Sequence, residues 1–197
     1  MTITLILPMT AFALAASISP GPVNLVCLSS GTRYPLSKGL MFVTGATLGF
    51  IVLFVAIGLG LYSIMTAVPG LNEFLRWAGI IFLIYLSVQL LRDDGRLHEG
   101  ETHKAPGFLT GAIMQWLNPK AWLASASGIG AYTSGHDLRE VIIFAMLYMP
   151  ICWLSLSCWV YAGVYLRRYI QRPIVLVILN RVLALLLVAS CIYLMIG

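Results

Sequence analysis

Lys120 is the side chain of this sequence that most clearly predicts chemistry, because it lies inside a long apolar run. An ammonium near the centre of a bilayer costs about 2.5–3.5 kcal/mol on insertion scales, so it must face a cavity, a partner or a ligand. Such an ammonium could bind a substrate carboxylate, or it could titrate during a transport cycle. The alternative is that the side chain extends to the membrane interface, which is difficult from the middle of a span.

Two proline-containing stretches interrupt apolar runs of the sequence. The first break is Ser19-Pro20-Gly21-Pro22, in a region where none of the first 32 residues is charged. The second break is Asn118-Pro119-Lys120. Proline removes a backbone donor and blocks a helix, and in lipid each freed N–H or C=O is costly unless protein or a polar cavity satisfies it. The alternative for the first break taken alone is a simple proline kink in a structural helix.

Polar groups at both breaks predict a binding site. Ser19 and Asn118 offer neutral hydrogen bonds, either to a substrate or to the broken helix ends. Each helix that restarts after a break presents N–H groups and a dipole that favour an anion. Arg181 is a further base inside an apolar run, and it could act in the site or reach the cytoplasmic interface. The predicted substrate-binding residues are Ser19, Pro20, Gly21, Pro22, Asn24, Gln115, Asn118, Pro119, Lys120 and Arg181.

The acidic residues lie away from both breaks. All seven fall in loops or at the ends of apolar runs: Glu73, Asp93, Asp94, Glu99, Glu101, Asp137 and Glu140. We therefore expect no buried carboxylate beside Lys120, and we expect a negative group of the substrate to complete the site. The histidines lie in loops, and the four cysteines form no Cys-x-x-Cys pair. The sequence predicts no metal site, no cofactor and no enzyme activity.

The composition indicates the environment of these residues. The chain of 197 residues is 60% hydrophobic and 10% charged, with a mean hydropathy of +0.93. Soluble domains carry about 25% charged residues, so this chain is predicted to lie in membrane lipid. Six apolar runs reach the roughly 20 residues that span the hydrocarbon core. They extend from about Leu5 to Ser30, Gly39 to Thr66, Phe74 to Leu91, Gly107 to Ala131, Val141 to Leu166 and Pro173 to Ile196.

The predicted fold is an all-α membrane protein with six transmembrane helices in a single transporter domain. Residues of about 1–92 and 105–197 form two three-helix halves, which the loop 93–104 joins. Because each half has an odd number of spans, the second half is predicted to have the opposite orientation.

Each break lies in the first span of its half, so that helices 1 and 4 are the broken ones. At 1.5 Å per residue both breaks fall roughly 16 Å deep, close to the middle of the membrane. Proline-interrupted spans at corresponding places in two halves are typical of secondary transporters that work by alternating access. A membrane enzyme and a channel or scaffold are the alternative classes.

The basic residues predict the orientation of the spans. Most of them fall in the loops after the first, third and fifth spans: Arg33, Lys38, Arg92, Arg96, Lys104, Arg167, Arg168 and Arg172. The other loops hold Arg76 and Arg139. The positive-inside rule places the first group in the cytoplasm and both termini outside. Since this rule accounts for the net charge of +5, no nucleic-acid partner is predicted.

Small residues in the second predicted span indicate close helix packing. Gly45 and Gly49 form a Gly-x-x-x-Gly pair, and Gly39 lies on the same span. Such a pair lets two helix backbones approach each other. The partner helix could belong to the same chain or to a second copy in a homodimer.

The sequence resembles the LysE/RhtB family of bacterial amino-acid exporters. The resemblance covers the first break with Asn24, the three glycines of the second span, and the stretch QWLNPKA at 115–121. Residues 180–187 are also similar to the cysteine and O-acetylserine exporter branch of that family.

This resemblance implies an inner-membrane secondary exporter of small zwitterionic amino acids, of the cysteine/O-acetylserine, threonine or homoserine type. It also implies coupling to the proton-motive force and no ATPase. An exporter of basic amino acids and a small-solute channel are the alternatives.

Overall fold

The computed structural model of the protein describes residues 5–61, 70–92, 105–133, 138–169 and 173–196. Every regular element in these ranges is an α-helix, so the prediction of an all-α protein is confirmed for them. The predicted loop 93–104 lies outside the described residues. The helices are α1 (Ile6–Ile18), α2 (Pro22–Arg33), α3 (Leu36–Gly58), α4 (Leu71–Leu91), α5 (Phe108–Trp116), α6 (Pro119–Tyr132), α7 (Leu138–Tyr169) and α8 (Pro173–Ile196).

The chain breaks where the prolines predict. Helix α1 ends at Ile18 and α2 begins at Pro22, with a bend of 60° between the two axes. Helix α5 ends at Trp116, and α6 begins at Pro119. Each helix thus restarts with a proline in its first turn. Proline is favourable there because its missing N–H would have had no helical partner.

Within the described ranges, two helical stretches are by themselves long and apolar enough to cross a membrane, namely Leu36–Gly58 and Leu138–Arg167. Helices α1 and α2 form a third candidate span when the bent pair is counted as one. The predicted runs overlap in sequence with α1–α2, α3, α4, α5–α6, α7 and α8. The predicted end of the second run at Thr66 lies outside the described residues.

The long helices α3 and α7 form the centre of the bundle, because they pack on each other and on the short helices. Helix α3 contacts α2, α5 and α6, and α7 contacts α1 and α2. Helices α4 and α8 pack together, and α8 also contacts α2. Aromatic rings fill the space between α1, α3 and α7. The rings of Phe50 and Tyr148 meet edge-on at 4.7 Å between centroids, and those of Phe144 and Tyr148 stack at 5.7 Å.

Glycines bring the short helices into backbone contact with the long ones. A Cβ atom on Gly45 would collide with the backbone of Phe108 in α5, and one on Gly49 would lie 2.6 Å from the Cα of Ala112. The Gly45–Gly49 pair therefore packs against α5 of its own chain and is not free to contact a second copy. Gly39 lies against the side chain of Val160 in α7.

A second glycine contact joins α2 to α7, and the sequence analysis did not identify it. A Cβ atom on Gly31 would collide with the Val160 carbonyl, and one on Gly163 would collide with the Leu28 carbonyl. Each of these glycines lies alone on its helix face, so no small-residue spacing marks the contact in the sequence.

Candidate functional site

The two breaks lie against each other, and Lys120 joins them. Its ammonium donates hydrogen bonds to the Ser19 carbonyl at 2.6 Å, to the Ser19 hydroxyl at 2.8 Å and to the Pro20 carbonyl at 3.4 Å. These groups follow the last turn of α1, where carbonyls lack helical partners and the helix dipole is negative. The ammonium therefore caps the C-terminal end of α1 from the start of α6.

Other side chains satisfy the remaining groups at the end of α1. The Asn24 amide donates to the Ser17 carbonyl at 2.9 Å, and the Ser19 hydroxyl donates to the Ala16 carbonyl at 3.2 Å. Asn24 is 4% exposed, so its amide needs such a partner. The Trp159 indole of α7 donates to the Ile18 carbonyl at 3.0 Å, so side chains from α2, α6 and α7 together hold the end of α1.

The second break is closed by local hydrogen bonds. The Asn118 side-chain oxygen accepts from the Lys120 N–H at 3.2 Å, which makes Asn118 the N-cap of α6. Its amide group donates to the Gln115 side chain at 3.4 Å. The Trp122 indole donates to the Trp116 carbonyl at 2.7 Å, which satisfies the end of α5. In this structure Asn118 and Gln115 therefore contact the broken helix ends.

The N-terminal end of α2 differs from that of α6, because no side chain caps it. Gly21 is the N-cap residue, and it has no side-chain oxygen. The first main-chain bond of this helix runs from the Leu25 N–H to the Gly21 carbonyl at 3.0 Å. Pro22 has no N–H, so the amides of Val23 and Asn24 are left without a backbone acceptor in the described part of the chain. Unpaired amides at a helix N-terminus favour an anion.

Lys120 lies beside this uncapped end. A Cβ atom on Gly21 would be 3.1 Å from the Lys120 Cδ and 3.2 Å from its Nζ. The lysine side chain therefore runs across the place that a side chain at position 21 would occupy. Two unpaired amides and an ammonium come together here, and this combination suits a carboxylate.

A small cavity opens between the two breaks and the long helices. Its volume is about 30 Å³, which exceeds the ~10–15 Å³ that one water molecule needs. Its wall combines amide, hydroxyl and ammonium groups with apolar side chains. The residues that line it are Ala16, Ser17, Val23, Asn24, Phe50, Gln115, Asn118, Lys120, Ala121, Ala124, Tyr148, Cys152 and Leu156.

Four of the ten predicted substrate-binding residues line this cavity, namely Asn24, Gln115, Asn118 and Lys120. The other residues of the two breaks form the backbone turns beside it: Ser19, Pro20, Gly21, Pro22 and Pro119. Arg181 is not brought into the site, because its side chain is exposed on α8. That helix packs on α4 and α2, and none of its side chains that the structure describes lines the cavity.

The cavity residues of the long helices α3 and α7, and Ser17 on α1, were not predicted from the sequence. Phe50 on α3 and both Tyr148 and Cys152 on α7 line the cavity, as does Ser17 on α1. Tyr148 and Cys152 are four residues apart and so share one helix face. This four-residue spacing is a sequence pattern that could have indicated a shared cavity face. It is equally typical of side chains that pack in the core of a helix bundle.

The site is cationic. Among the described residues, no aspartate or glutamate lines the cavity, and no cluster of three histidine, cysteine or acidic side chains would hold a metal ion. The Lys120 ammonium is balanced here by carbonyl oxygens and by the dipole of α1. A ligand with a negative group would find both an ammonium and unpaired amides at this place.

Comparisons with known proteins agree with this arrangement. The sequence model of the LysE type translocator family matches residues 14–197. Similar relatives are proteins named cysteine/O-acetylserine efflux protein from Escherichia coli (strain K12) and from Shigella sonnei (strain Ss046). Each is 27% identical over 194 residues, which cover 95% of this chain and 96% of the relative.

No solved structure is significantly similar to the chain. The family match nevertheless covers most of the chain and includes both breaks, which supports the resemblance drawn from the sequence. The chain therefore belongs to the LysE type translocator family of membrane proteins.

Proposed function

We propose that this protein is a secondary transporter that exports small zwitterionic amino acids from the cytoplasm by alternating access. The observation that carries the proposal is the uncapped N-terminus of α2 beside the Lys120 ammonium, at a cavity between two broken helices. The substrate carboxylate binds the amides of Val23 and Asn24 together with Lys120. Broken helices at the middle of the membrane are the usual form of such a site.

The substrate class comes from the relatives and from the charge of the cavity. The similar curated proteins are named for cysteine and O-acetylserine efflux, and both compounds are zwitterions with uncharged side chains. A basic amino acid would bring a charged side chain, in addition to its α-ammonium, into a cavity that already contains Lys120 and that no described carboxylate lines. We therefore favour cysteine, O-acetylserine, threonine or homoserine over lysine or arginine.

Two inverted three-helix halves account for the contacts between the helices. If α1–α4 correspond in order to α5–α8, then the contact of α1 with α7 corresponds to that of α5 with α3. The contact of α2 with α7 corresponds in the same way to that of α6 with α3. At about 1.5 Å per residue, α4 and α8 are roughly 30 and 36 Å long, enough to complete six spans. The charge bias then favours the bacterial inner membrane with both termini in the periplasm.

The size of the cavity supports alternating access over a fixed channel. A cavity of about 30 Å³ has room for about two or three water molecules, at ~10–15 Å³ for each, and is smaller than an amino acid. The short helices must therefore move on α3 and α7 before a substrate can enter. Coupling to the proton-motive force is part of the proposal, because the family resemblance implies it.

Transport by inverted membrane vesicles tests this function, because uptake into them corresponds to export from the cell. Vesicles that contain the protein are expected to accumulate radiolabelled cysteine or O-acetylserine saturably, and an uncoupler is expected to abolish the accumulation. Vesicles from the same host without the protein are the control. Equal uptake with and without the protein, for all four candidate amino acids, would refute the proposal. Non-saturable flux that follows the solute gradient would indicate a channel.

A further inference from the structure

The hydrogen bonds of Lys120 leave its ammonium no free N–H donor for a substrate carboxylate. An ammonium group has three N–H donors. In this structure its recorded hydrogen bonds go to the Ser19 carbonyl, the Ser19 hydroxyl and the Pro20 carbonyl. All three donors are then in use at the end of α1. Lys120 can contact a substrate carboxylate only after it releases some of these acceptors.

The acceptors that Lys120 would release cannot remain empty at low cost. The carbonyls of Ser19 and Pro20 follow the last turn of α1, and they lie at the negative end of its dipole. Ser19 is half-buried and Pro20 is exposed, so water can replace part of these hydrogen bonds, but water carries no charge to meet the negative end of the dipole. A cationic donor therefore stabilises these groups better than water whenever Lys120 leaves. A zwitterionic amino acid brings such a donor, since its α-ammonium has the same charge and the same three N–H groups as the lysine.

We propose that the C-terminal end of α1 is an ammonium site that Lys120 fills in the empty transporter and that the substrate's α-ammonium fills in the loaded one. This inference rests on the proposed function, and it names a second subsite for the same substrate. The displaced Lys120 ammonium turns towards the N-terminus of α2, where the substrate carboxylate lies. Each end of the zwitterion thus meets its own binding group.

Once the substrate has entered, the exchange of the two ammonium groups needs only side-chain motion. Ser19 is the C-cap of α1 and Gly21 is the N-cap of α2, so the two subsites are separated by a single residue. The Lys120 side chain already passes within 3.1 Å of where a Cβ atom of Gly21 would be. Rotation about side-chain bonds of Lys120 is enough to move its ammonium from one subsite to the other. The absent side chain at position 21 leaves the path open.

This exchange explains how the site would reject partial substrates. An amine without a carboxylate would displace Lys120 and leave two ammonium groups side by side, which is unfavourable. A carboxylic acid without an amine has no ammonium that could donate hydrogen bonds to the carbonyls that Lys120 leaves. The exchange therefore selects compounds that carry both groups, and it keeps the empty site closed.

Removal of the lysine tests the inference, because it leaves the ammonium subsite open. The variant is Lys120→Ala, with Lys38→Ala as the matched control outside the cavity. The probes are cysteine, its decarboxylated analogue cysteamine, and n-propylammonium, with n-propanol as an uncharged probe of similar size. Binding is measured as the ligand concentration that half-maximally raises the unfolding temperature of the purified protein in detergent.

Wild type and Lys38→Ala are expected to bind cysteine and to bind cysteamine and n-propylammonium weakly. In Lys120→Ala both amines are expected to bind roughly tenfold or more tightly than in wild type, because the competing ammonium is gone. The uncharged n-propanol is expected to stabilise none of the proteins. Unchanged or weaker binding of the amines to Lys120→Ala would overturn the inference.

Folding of the variant is itself a readout. If Lys120→Ala is unstable when purified, n-propylammonium present during purification is expected to restore the folded protein. Failure to restore it counts against an ammonium subsite. Failure of the proposed function is seen separately, as wild-type vesicles that accumulate none of the candidate amino acids. If wild type transports a different amino acid from cysteine, that amino acid and its decarboxylated amine replace the cysteine pair.

Discussion

Substitution of Lys120 by alanine is expected to abolish transport while the protein remains folded in the membrane. The ammonium forms two short hydrogen bonds, at 2.6 and 2.8 Å, and a longer one at 3.4 Å. Hydrogen bonds to charged groups contribute roughly 1.5–3 kcal/mol each. Lys120 is only partly buried, and the cavity admits water that can replace part of these bonds.

The expected cost to stability is therefore modest. Taking about half of the value for two short bonds gives roughly 2 kcal/mol. For a chain of this size, that loss lowers the unfolding temperature by about 4–8 °C. The loss in transport is expected to be larger. Removing the charged partner of a bound carboxylate costs about 2–5 kcal/mol, which corresponds to at least roughly 30-fold in kcat/KM.

Two assays on the same preparation separate these effects. Tryptophan fluorescence reports the unfolding temperature, and uptake of labelled substrate into vesicles reports transport. Lys38→Ala, which removes a lysine outside the cavity, is expected to behave like wild type in both. Transport by Lys120→Ala at the wild-type rate would refute the role of the ammonium. A protein that no longer inserts or folds, and that n-propylammonium does not restore, would show that Lys120 acts in folding, not in binding.

Four further substitutions test the packing and the limits of the site. Gly45→Ala is expected to destabilise the protein, because its Cβ atom meets the backbone of Phe108, whereas Gly130→Ala has open space and is expected to leave the unfolding temperature unchanged or higher. Equal unfolding temperatures for these two variants would contradict the close contact of α3 with α5. Asn118→Ala removes the N-cap of α6 and is expected to cost about 1 kcal/mol, seen as a fall of about 2–4 °C in unfolding temperature. Arg181→Ala is expected to keep the KM for substrate within about twofold of wild type, since this side chain is exposed away from the cavity. A larger change in KM would indicate that Arg181 takes part in substrate binding.

The helix breaks could be predicted from the sequence because their cause is local. A proline lacks an N–H and collides with the preceding turn wherever it lies in a helix. The chain accordingly leaves the helix before Pro22 and before Pro119, and it restarts with each of them in the first turn. Membrane insertion of the apolar runs is local in the same sense, since it depends on length and composition.

The side of each helix that points into the bundle could not be predicted in this way. A helix that is apolar on all sides has no amphipathic pattern to indicate which face points inward. Neither Cys152 nor Arg181 lies in a sequence pattern that indicates which way its side chain faces. The tertiary structure turns Cys152 into the cavity and leaves Arg181 exposed, because the packing of α8 on α4 and α2 sets the rotation of that helix.

The sequence by itself determined the helices, the two places where its apolar runs are interrupted, and the family that it resembles. The helices and the interruptions follow from backbone chemistry and composition along short stretches of chain, and the family follows from the resemblance of its motifs. Only the tertiary structure decided that the ammonium of Lys120 binds the end of α1, across 101 residues of sequence, while the start of α2 stays uncapped. A hydrogen bond depends on distances between atoms, and those distances exist only after α3 and α7 have brought the two breaks together.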